Sequence, residues 1–461
     1  MPGLCQNRNQ TPLSRRQMLA RSGAGFGSIA LGAMLHEAGA DTIAEKKPHF
    51  EPRAKRIILL FLHGGPSQVD TFDHKPALQR DHGKPLPFAL PRIVSAKTGA
   101  LLASPFEFKQ HGQSGAMVSS IFPEIAGVMD DVCLVRSMHC SNSRHGGALL
   151  ELHTGSDTFV RPSAGSWINY GLGTENSDLP GFITVDPTSG HGGANAWSSA
   201  FLPARYQGTA IRRKNGKPQV PFLENSRVPM KRQRLELDFL NQLNRDALSR
   251  PDAELESRIE SFELAFQMQM EVPQVQDLTR EPDHIRGLYG MDVTKSKSFA
   301  ESCVLARRYS EAGVRFVQIT HRYWDDHGNI KKGHGNRAGE IDRPIAGLIK
   351  DLKQRGLLED TLVVIGGEFG RTPVSQGSGR DHNPHGFSFL LAGGGIKPGI
   401  QYGQTDEYGF YAVENKVHFH DLHATMLHLL GFDHTRLTYR MGGRDFRLTD
   451  IHGRVVTDLL G

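Results

Sequence analysis

The sequence predicts an α/β protein with a mostly parallel sheet and helices on both faces of the sheet. Five short runs are apolar almost throughout, as strands buried on both faces are. They are residues 56–62, 132–135, 314–319, 361–366 and 387–392. Stretches with helical spacing, such as 299–312, 341–355 and 420–430, lie between or after these runs. Strands that alternate with helices along a chain indicate parallel pairing.

The first forty residues predict an export signal. Arg15 and Arg16 precede a mildly apolar segment, 23–35, and a small-residue cleavage site at 38–40, as in twin-arginine signals. The segment is too short and too weakly apolar for a stable membrane span. We therefore expect the twin-arginine machinery to export the protein to the periplasm or beyond. A linker, 41–55, and a single domain, 56–461, would follow.

Composition narrows the classes of partner. The chain has 54 Lys and Arg against 49 Asp and Glu, a net charge of +5 with no dense basic block. Nucleic acid is therefore not an expected partner.

Without the signal, Cys133, Cys140 and Cys303 remain, so at most one disulfide is expected. Residues 155–229 are rich in Gly, Pro and Ser and predict irregular loops that face the substrate, within an insertion that reaches about residue 290.

Histidines and carboxylates follow the ends of the predicted strands. The carboxyl ends of parallel strands share one edge of a sheet, so these side chains are predicted to meet there. Imidazole mixed with carboxylate favours zinc, manganese or iron over calcium. Each cluster alone also fits a solvated loop, but together they predict a site for one or two divalent ions. The candidate ligands are His63, Asp70, Asp325, His327, His334, Glu368, Asp381, His382 and His385.

The order of the motifs resembles the alkaline phosphatase and sulfatase superfamily. More closely, it resembles an exported bacterial domain-of-unknown-function family within that superfamily. The resemblance is carried by HGGPSQVDTFD, WDDHGN, GEFGRTP, GRDHNPHG and HDLHATMLHLLGFDH, and it covers nearly the whole mature chain. It implies an alkaline phosphatase/sulfatase-like core of parallel strands with metal ligands at their carboxyl ends.

The resemblance also implies roles for single residues. His63 stands where the first strand normally supplies a metal-binding Asp, with Asp70 as a nearby carboxylate. Glu368 stands where a later strand-end Asp would bind metal, and Phe369 follows it instead of the usual His or Asn. The superfamily also has a middle Asp and His pair among its metal ligands, and this pair resembles Asp325, His327 and His334. The superfamily's last metal histidine resembles His382 or His385.

The nucleophile is left open between two chemistries. The segment Cys140-Ser141-Asn142-Ser143-Arg144 resembles the sulfatase signature, in which a Cys is oxidised to formylglycine, although Asn142 replaces the usual Pro or Ala. Ser143 or Ser141 is the phosphatase-like alternative, and Cys140 also fits a small buried core residue. The candidate catalytic residues are Cys140, Ser143, Arg144 and His145, and the candidate anion-binding residues are Arg144, Arg371 and Arg380.

These expectations combine into one function with two rivals. The first is an exported, metal-dependent hydrolase of sulfate or phosphate esters on small molecules or polysaccharides. A catalytically degenerate relative that binds anionic polysaccharide is the second. The third is an α/β-hydrolase-type serine esterase, suggested by His63-Gly64-Gly65-Pro66 after a strand. That fold requires G-x-S-x-G, whereas the nearest segment, 112–116, ends in Ala.

Overall fold

The computed structural model describes residues 47–461 except 90, 92–97, 189, 215, 222, 226 and 248–252. The predicted signal, 1–40, lies outside the described residues. The end of the predicted linker packs against the last long helix, since the backbone N–H groups of Arg53 and His49 donate to the carbonyls of Leu429 and Gly431, both at 2.8 Å. Within the described ranges, no helix is both long and apolar enough to cross a membrane.

Most of the strands belong to one central sheet. In chain order the strands are β1 Arg56–Leu62, β2 Phe108–His111, β3 Ala116–Ser119, β4 Val132–His139, β5 Phe182–Val185, β6 Thr209–Lys214, β7 Lys217–Gln219, β8 Phe316–His321, β9 Thr361–Gly366, β10 Gly370–Gln376, β11 Gly379–Asn383, β12 Phe387–Ala392, β13 Gln401–Tyr402, β14 Gln404–Thr405, β15 Ala412–Glu414, β16 Val417–His418, β17 Tyr439–Met441 and β18 Arg444–Phe446.

The central sheet is mostly parallel, as predicted. Its order is β13-β4-β12-β9-β1-β8-β5-β6-β7, and β16 also pairs with β4. The strands around β1 run parallel, whereas β12 is antiparallel to both of its neighbours and β7 is antiparallel to β6. The α/β fold class is therefore confirmed.

Alternate residues of the strands face two separate cores. Along β1, Ile58 and Leu60 belong to one hydrophobic cluster, while Ile57, Leu59 and Phe61 belong to the other. Because both faces need cover, every residue of β1 is apolar apart from Arg56, and all seven are buried. Helices Lys297–Glu311 and Ile330–Gln354 cover the first face, and His145–Thr154, Ala164–Leu172 and Phe419–Leu429 cover the second.

The other helices are shorter or lie at the periphery. They are Gln68–Thr71, Pro76–Arg80, Pro123–Ala126, Met230–Ala247, Ala253–Gln276 and Asp283–Tyr289, with 3-10 turns at Met129–Asp131, Gly193–Trp197, Ala204–Tyr206, Leu278–Arg280 and Thr457–Leu459.

The region predicted as irregular loops contains part of the sheet. β5 pairs in parallel with β8, and β6 pairs in parallel with β5. The prediction of irregular structure throughout 155–229 was therefore wrong. β5 has only four residues, and its neighbours in sequence are rich in Gly and Pro, so its apolar run is too short to stand out.

Candidate metal centre

Three neighbouring parallel strands bring distant parts of the chain to one edge of the sheet. Leu62 of β1 is in register with His321 of β8, and Phe61 of β1 with Gly366 of β9. The segments that follow these strands therefore leave the sheet side by side, as at the ligand sites of open α/β sheets. Those segments carry His63, Asp325 and Glu368.

Glu368 is the central carboxylate of a first group of side chains and is fully buried. Its oxygens accept hydrogen bonds from the backbone N–H of Gly64 at 3.0 and 3.1 Å. Nδ1 of His145 lies 2.6 Å from Oε1, and Nε2 of His63 lies 4.0 Å from the same oxygen. Burial raises the pKa of this carboxyl, but the hydrogen bond from His145 and the two histidine charges outweigh burial and lower it. Glu368 is therefore ionised at neutral pH.

Three histidines lie close to one another, two of them beside this carboxylate, and each is followed by two glycines. They are His63, His145 and His191, and their candidate ligand atoms lie within 4.8 Å of one another. Nε2 of His63 is 3.3 Å from Nδ1 of His191, and the rings of His145 and His191 stack with centroids 4.8 Å apart. Sequence reasoning missed His191. The repeated His-Gly-Gly pattern at 63, 145 and 191 is the signal that identifies it.

Gly64 is needed for the close approach of two loops. Its φ is +118°, and a Cβ at this position would lie 2.5 Å from the backbone nitrogen of Asp325. A side chain would therefore push the end of β1 away from the segment that carries Asp325. The glycine after His63 allows the two parts of the site to touch.

Asp325, His327 and His382 form a second group. Oδ1 of Asp325 is 2.9 Å from Nε2 of His327 and 3.2 Å from Nε2 of His382, and the two nitrogens are 3.1 Å apart. Tetrahedral ligands placed about 2.1 Å from zinc are separated by roughly 3.4 Å, so the spacing suits such an ion. Asp381 lies at the margin, with Oδ1 3.9 Å from Nδ1 of His327. His145 links the groups, because its Nε2 is 3.2 Å from Oδ2 of Asp325.

Outer contacts fix the tautomers of the two histidines in the second group. Nδ1 of His382 lies 2.8 Å from the carbonyl oxygen of Ser143, and Nδ1 of His327 contacts Oε1 of Gln376. Because these oxygens only accept, Nδ1 carries the hydrogen of each neutral ring and Nε2 presents a lone pair. Two lone pairs and the Asp325 carboxylate thus face one another. A cation between them would remove the repulsion, and carbonyl contacts of this kind are typical of metal-bound histidines.

Nearby carboxylates raise the pKa values of two of these histidines. Burial lowers the pKa of His145, but hydrogen bonds to Asp325 and Glu368 outweigh it and raise the pKa to about 9. The Asp325 hydrogen bond raises the pKa of His327, whereas burial lowers that of His382. Protons are therefore held next to both carboxylates in the protein alone. A divalent cation would compete with them, since ligation requires deprotonated histidines.

Two of the predicted anion-binding arginines contact protein groups instead. The fully buried Arg371 donates to the carbonyl of Gly65 at 2.9 Å, and its Nη2 lies 2.6 Å from Oδ1 of Asp325. Arg380 is also fully buried and pairs with Asp70. Their placement gives no support to binding a substrate anion. Arg371 orients Asp325, and Arg380 belongs to the scaffold.

Asp70 and His334, two predicted metal ligands, belong to a buried hydrogen-bond network. The Asp70 carboxylate accepts hydrogen bonds from the guanidinium of Arg380 at 2.6 and 3.1 Å and from the hydroxyl of Ser67 at 2.6 Å. His334 accepts the backbone N–H of Ser67 at Nε2, at 2.9 Å, and its Nδ1 lies 2.7 Å from Asp326. Both ring nitrogens and both carboxylate oxygens therefore have protein partners. These contacts favour a structural role for the pair.

His385 is also separate from the two groups. Its ring packs against Phe410 and Tyr411, with centroids 5.6 and 5.3 Å away. Of the two alternatives for the last metal histidine, the geometry therefore favours His382.

The candidate nucleophiles differ in their surroundings. Cys140 is buried, its Sγ is 3.4 Å from the carbonyl of Glu368, and burial raises its pKa well above the usual value. The hydroxyl of Ser141 contacts Nε2 of His418 at 3.1 Å, outside both groups. Ser143 is half-buried and touches His382 through its carbonyl, and Arg144 is exposed. Cys133, Cys140 and Cys303 are all free thiols in the described structure.

Comparison with solved structures finds similarity to several enzymes. A lipoteichoic acid synthase, LtaP, from Listeria monocytogenes is 11% identical, with a TM-score of 0.37 over 90% of this chain and 80% of that chain. The PsFucS1 sulfatase from Pseudoalteromonas sp. is 12% identical, with a TM-score of 0.33 over 82% of this chain and 68% of that chain. Alkaline phosphatase from the Antarctic bacterium TAB5 is 10% identical, with a TM-score of 0.33 over 78% and 96%.

Similarity at this level does not transfer an activity to this chain. The search among curated proteins found no match. A family model described as "Protein of unknown function (DUF1501)" matches residues 54–460, which is nearly the whole described chain. The predicted relationship to a domain-of-unknown-function family is thereby confirmed, and the chain belongs to the DUF1501 family.

Proposed function

We propose that this protein is an exported, metal-dependent hydrolase of sulfate or phosphate esters that holds one or two zinc or manganese ions. The observation that supports this most strongly is the convergence of the Nε2 atoms of His327 and His382 on the carboxylate of Asp325. The Glu368 group lies beside it, and His145 touches both carboxylates. Two adjacent cations in this arrangement would hold one ester between them.

The metal and the protein would have separate tasks. Divalent cations bound here would neutralise charge on the ester oxygens and favour the deprotonated form of a nearby hydroxyl. Arg371 would keep Asp325 oriented through its 2.6 Å contact. We assign binding of the sulfate or phosphate oxygens to Arg144, which is exposed just before the helix His145–Thr154. The guanidinium and the positive end of the helix dipole both favour an anion.

Ser143 is the nucleophile that fits the geometry best. Its carbonyl touches His382, so the residue adjoins the second group, whereas the thiol of Cys140 is buried against backbone carbonyls. The Ser143 oxygen would form a bond to phosphorus or sulfur while the bond to the alcohol oxygen breaks. The alcohol leaves with a proton, and water then releases the inorganic acid from Ser143.

The geometry disfavours a serine esterase. An oxyanion hole needs free N–H groups in the His-Gly-Gly segment, but the N–H of Gly64 donates to Glu368. Ser114, in the nearest match to a nucleophile elbow, lies in the turn between β2 and β3. A degenerate binding protein remains the second candidate, favoured by His63 and Phe369 where the superfamily usually has Asp and His or Asn.

Activity with and without metal separates the candidates. Protein purified without chelators is expected to cleave 4-nitrophenyl phosphate or 4-nitrophenyl sulfate, and chelation followed by added zinc or manganese should abolish and restore this activity. Glu368→Gln should lower kcat/KM by about a hundred-fold or more, while the exposed control Asp445→Asn should not. A metal-loaded but inert protein would favour the binding role, and a metal-free active one would favour the esterase.

A further inference from the structure

A cleft of about 590 Å³ lies beside the candidate metal centre, over the carboxyl ends of β8, β5 and β6. Since β8 also pairs with β1, which leads to His63, the cleft and the metal centre are neighbours along one sheet edge. The loop after β5 connects them, because Asp186 lines the cleft and His191 belongs to the metal centre. A ligand in the metal centre can therefore extend into the cleft.

The cleft has an excess of positive charge. Five basic and two acidic side chains line it, a surplus of three (five minus two). Arg213 pairs with Asp186 at 3.0 Å, and Arg337 pairs with Glu340 at 2.9 Å. Among the residues that the structure describes, no carboxylate lies within ion-pair distance of the remaining cations, which are Arg212, Lys295 and Arg322.

Arg322 is held in place without being neutralised. Its guanidinium donates to the backbone carbonyls of Pro187 at 2.6 Å and Asp186 at 3.2 Å. These neutral acceptors orient the group but leave its charge available to a ligand. Thr320, only 6% exposed, also lines the cleft, and its hydroxyl has no hydrogen-bond partner within the described part of the chain. Both features suit a bound anion.

An exposed aromatic ring lines the cleft close in sequence to a residue of the candidate metal centre. Tyr323 lines the cleft two residues before Asp325, and 70% of its surface is exposed. Its φ is +75°, a left-handed conformation that is unfavourable for a non-glycine residue. Such strain is typical of functional positions. An exposed phenol ring offers an apolar face to the C–H groups of a sugar and a hydroxyl to its polar groups.

We propose that the cleft binds a second anionic group, so that the substrate is an oligosaccharide with at least two sulfate or phosphate groups. This inference rests on the proposed ester hydrolysis. In this proposal the metal centre binds the ester group that is cleaved. The second, uncleaved sulfate or phosphate group is bound by Arg212, Lys295 and Arg322. Tyr323 contacts the sugar between the two groups.

Paired ligands and paired variants test the proposal. Disaccharides of one backbone with one or two sulfate groups are titrated into the full protein by calorimetry. The wild type is expected to bind the disulfated form about ten-fold more tightly. Arg212→Gln/Lys295→Gln should lose most of that ratio, whereas Arg436→Gln/Lys109→Gln, which removes two exposed charges elsewhere, should keep it. An equal ratio in both double variants, or no preference in the wild type, overturns the proposal.

A second arm tests the sugar. Tyr323→Asn removes the ring but tolerates the left-handed backbone. This variant should bind the disulfated disaccharide several-fold more weakly than the wild type does. Its affinity for tripolyphosphate, an anion without a sugar, should be unchanged. An equal effect on both ligands overturns the assignment of a sugar. Neither arm requires turnover. An inert protein that keeps the cleft-dependent preference contradicts only the hydrolase proposal, and an active enzyme without the preference contradicts only this inference.

Discussion

Replacing Asp70 by asparagine tests whether this carboxylate supports the fold or binds metal. Asp70 and Arg380 are both fully buried, and Arg380 donates to both Asp70 oxygens, at 2.6 and 3.1 Å. Removing one partner of a buried pair leaves an uncompensated charge and destabilises a protein by about 3–5 kcal/mol. Globular proteins are stable by only about 5–15 kcal/mol, so we expect a large fall in the urea midpoint of Asp70→Asn.

A matched control makes this prediction specific. Asp445→Asn is the same substitution in an exposed ion pair, 3.4 Å from Arg440, and should destabilise by less than about 1 kcal/mol. Folded Asp70→Asn protein should keep the wild-type content of zinc and manganese, measured by plasma mass spectrometry. If Asp70→Asn unfolds at the wild-type midpoint but loses its metal, Asp70 is a ligand and our reasoning from its contacts is refuted.

Three further substitutions have defined outcomes. Gly64→Ala should lower both the melting temperature and the metal content, because its Cβ would meet the backbone of Asp325 at 2.5 Å; unchanged values for both would contradict this. Burial raises the pKa of Asp342 from 3.8 to about 6, so its stabilising effect is complete below pH 3.8 and is lost as the pH rises through about 6. Urea unfolding should therefore show wild type losing about 3 kcal/mol relative to Asp342→Asn between pH 3.5 and 7, and a constant difference would refute the shift. Cys140→Ala should retain ester hydrolysis within about three-fold because the thiol is a buried packing group; complete loss, with the fold intact, would point to a modified Cys140.

Local sequence pattern was sufficient for the strands at the centre of the sheet. The predicted bounds of β1, β9 and β12 match the structure, because strands buried on both faces must be apolar throughout. β8 was predicted two residues too early, at 314–319, because apolar character is similar on both sides of its start. β5 was missed because its four-residue apolar run is too short to stand out, and one of its two partners, β8, lies more than a hundred residues away in sequence.

The candidate site could be predicted only in part from the sequence. Strand-end placement brought His63, Asp325 and Glu368 together in prediction and in structure, because parallel strands share an edge. His191 was missed because it does not directly follow a predicted strand, although it shares the His-Gly-Gly pattern of His63 and His145. Arg371 was predicted to face the substrate, but whether a guanidinium faces solvent or a buried carboxylate depends on tertiary packing.

Anomalous diffraction from crystals of protein purified without chelators tests the metal centre most directly. Data collected at the zinc and manganese absorption edges should show an anomalous peak at one or both of two positions. One position is about 2.0–2.2 Å from Glu368 and from His63 or His145, and the other is at the same distance from Asp325, His327 and His382. Peaks at Asp70 or His334 instead, or no peak at either group after soaking in zinc and manganese, would contradict the account.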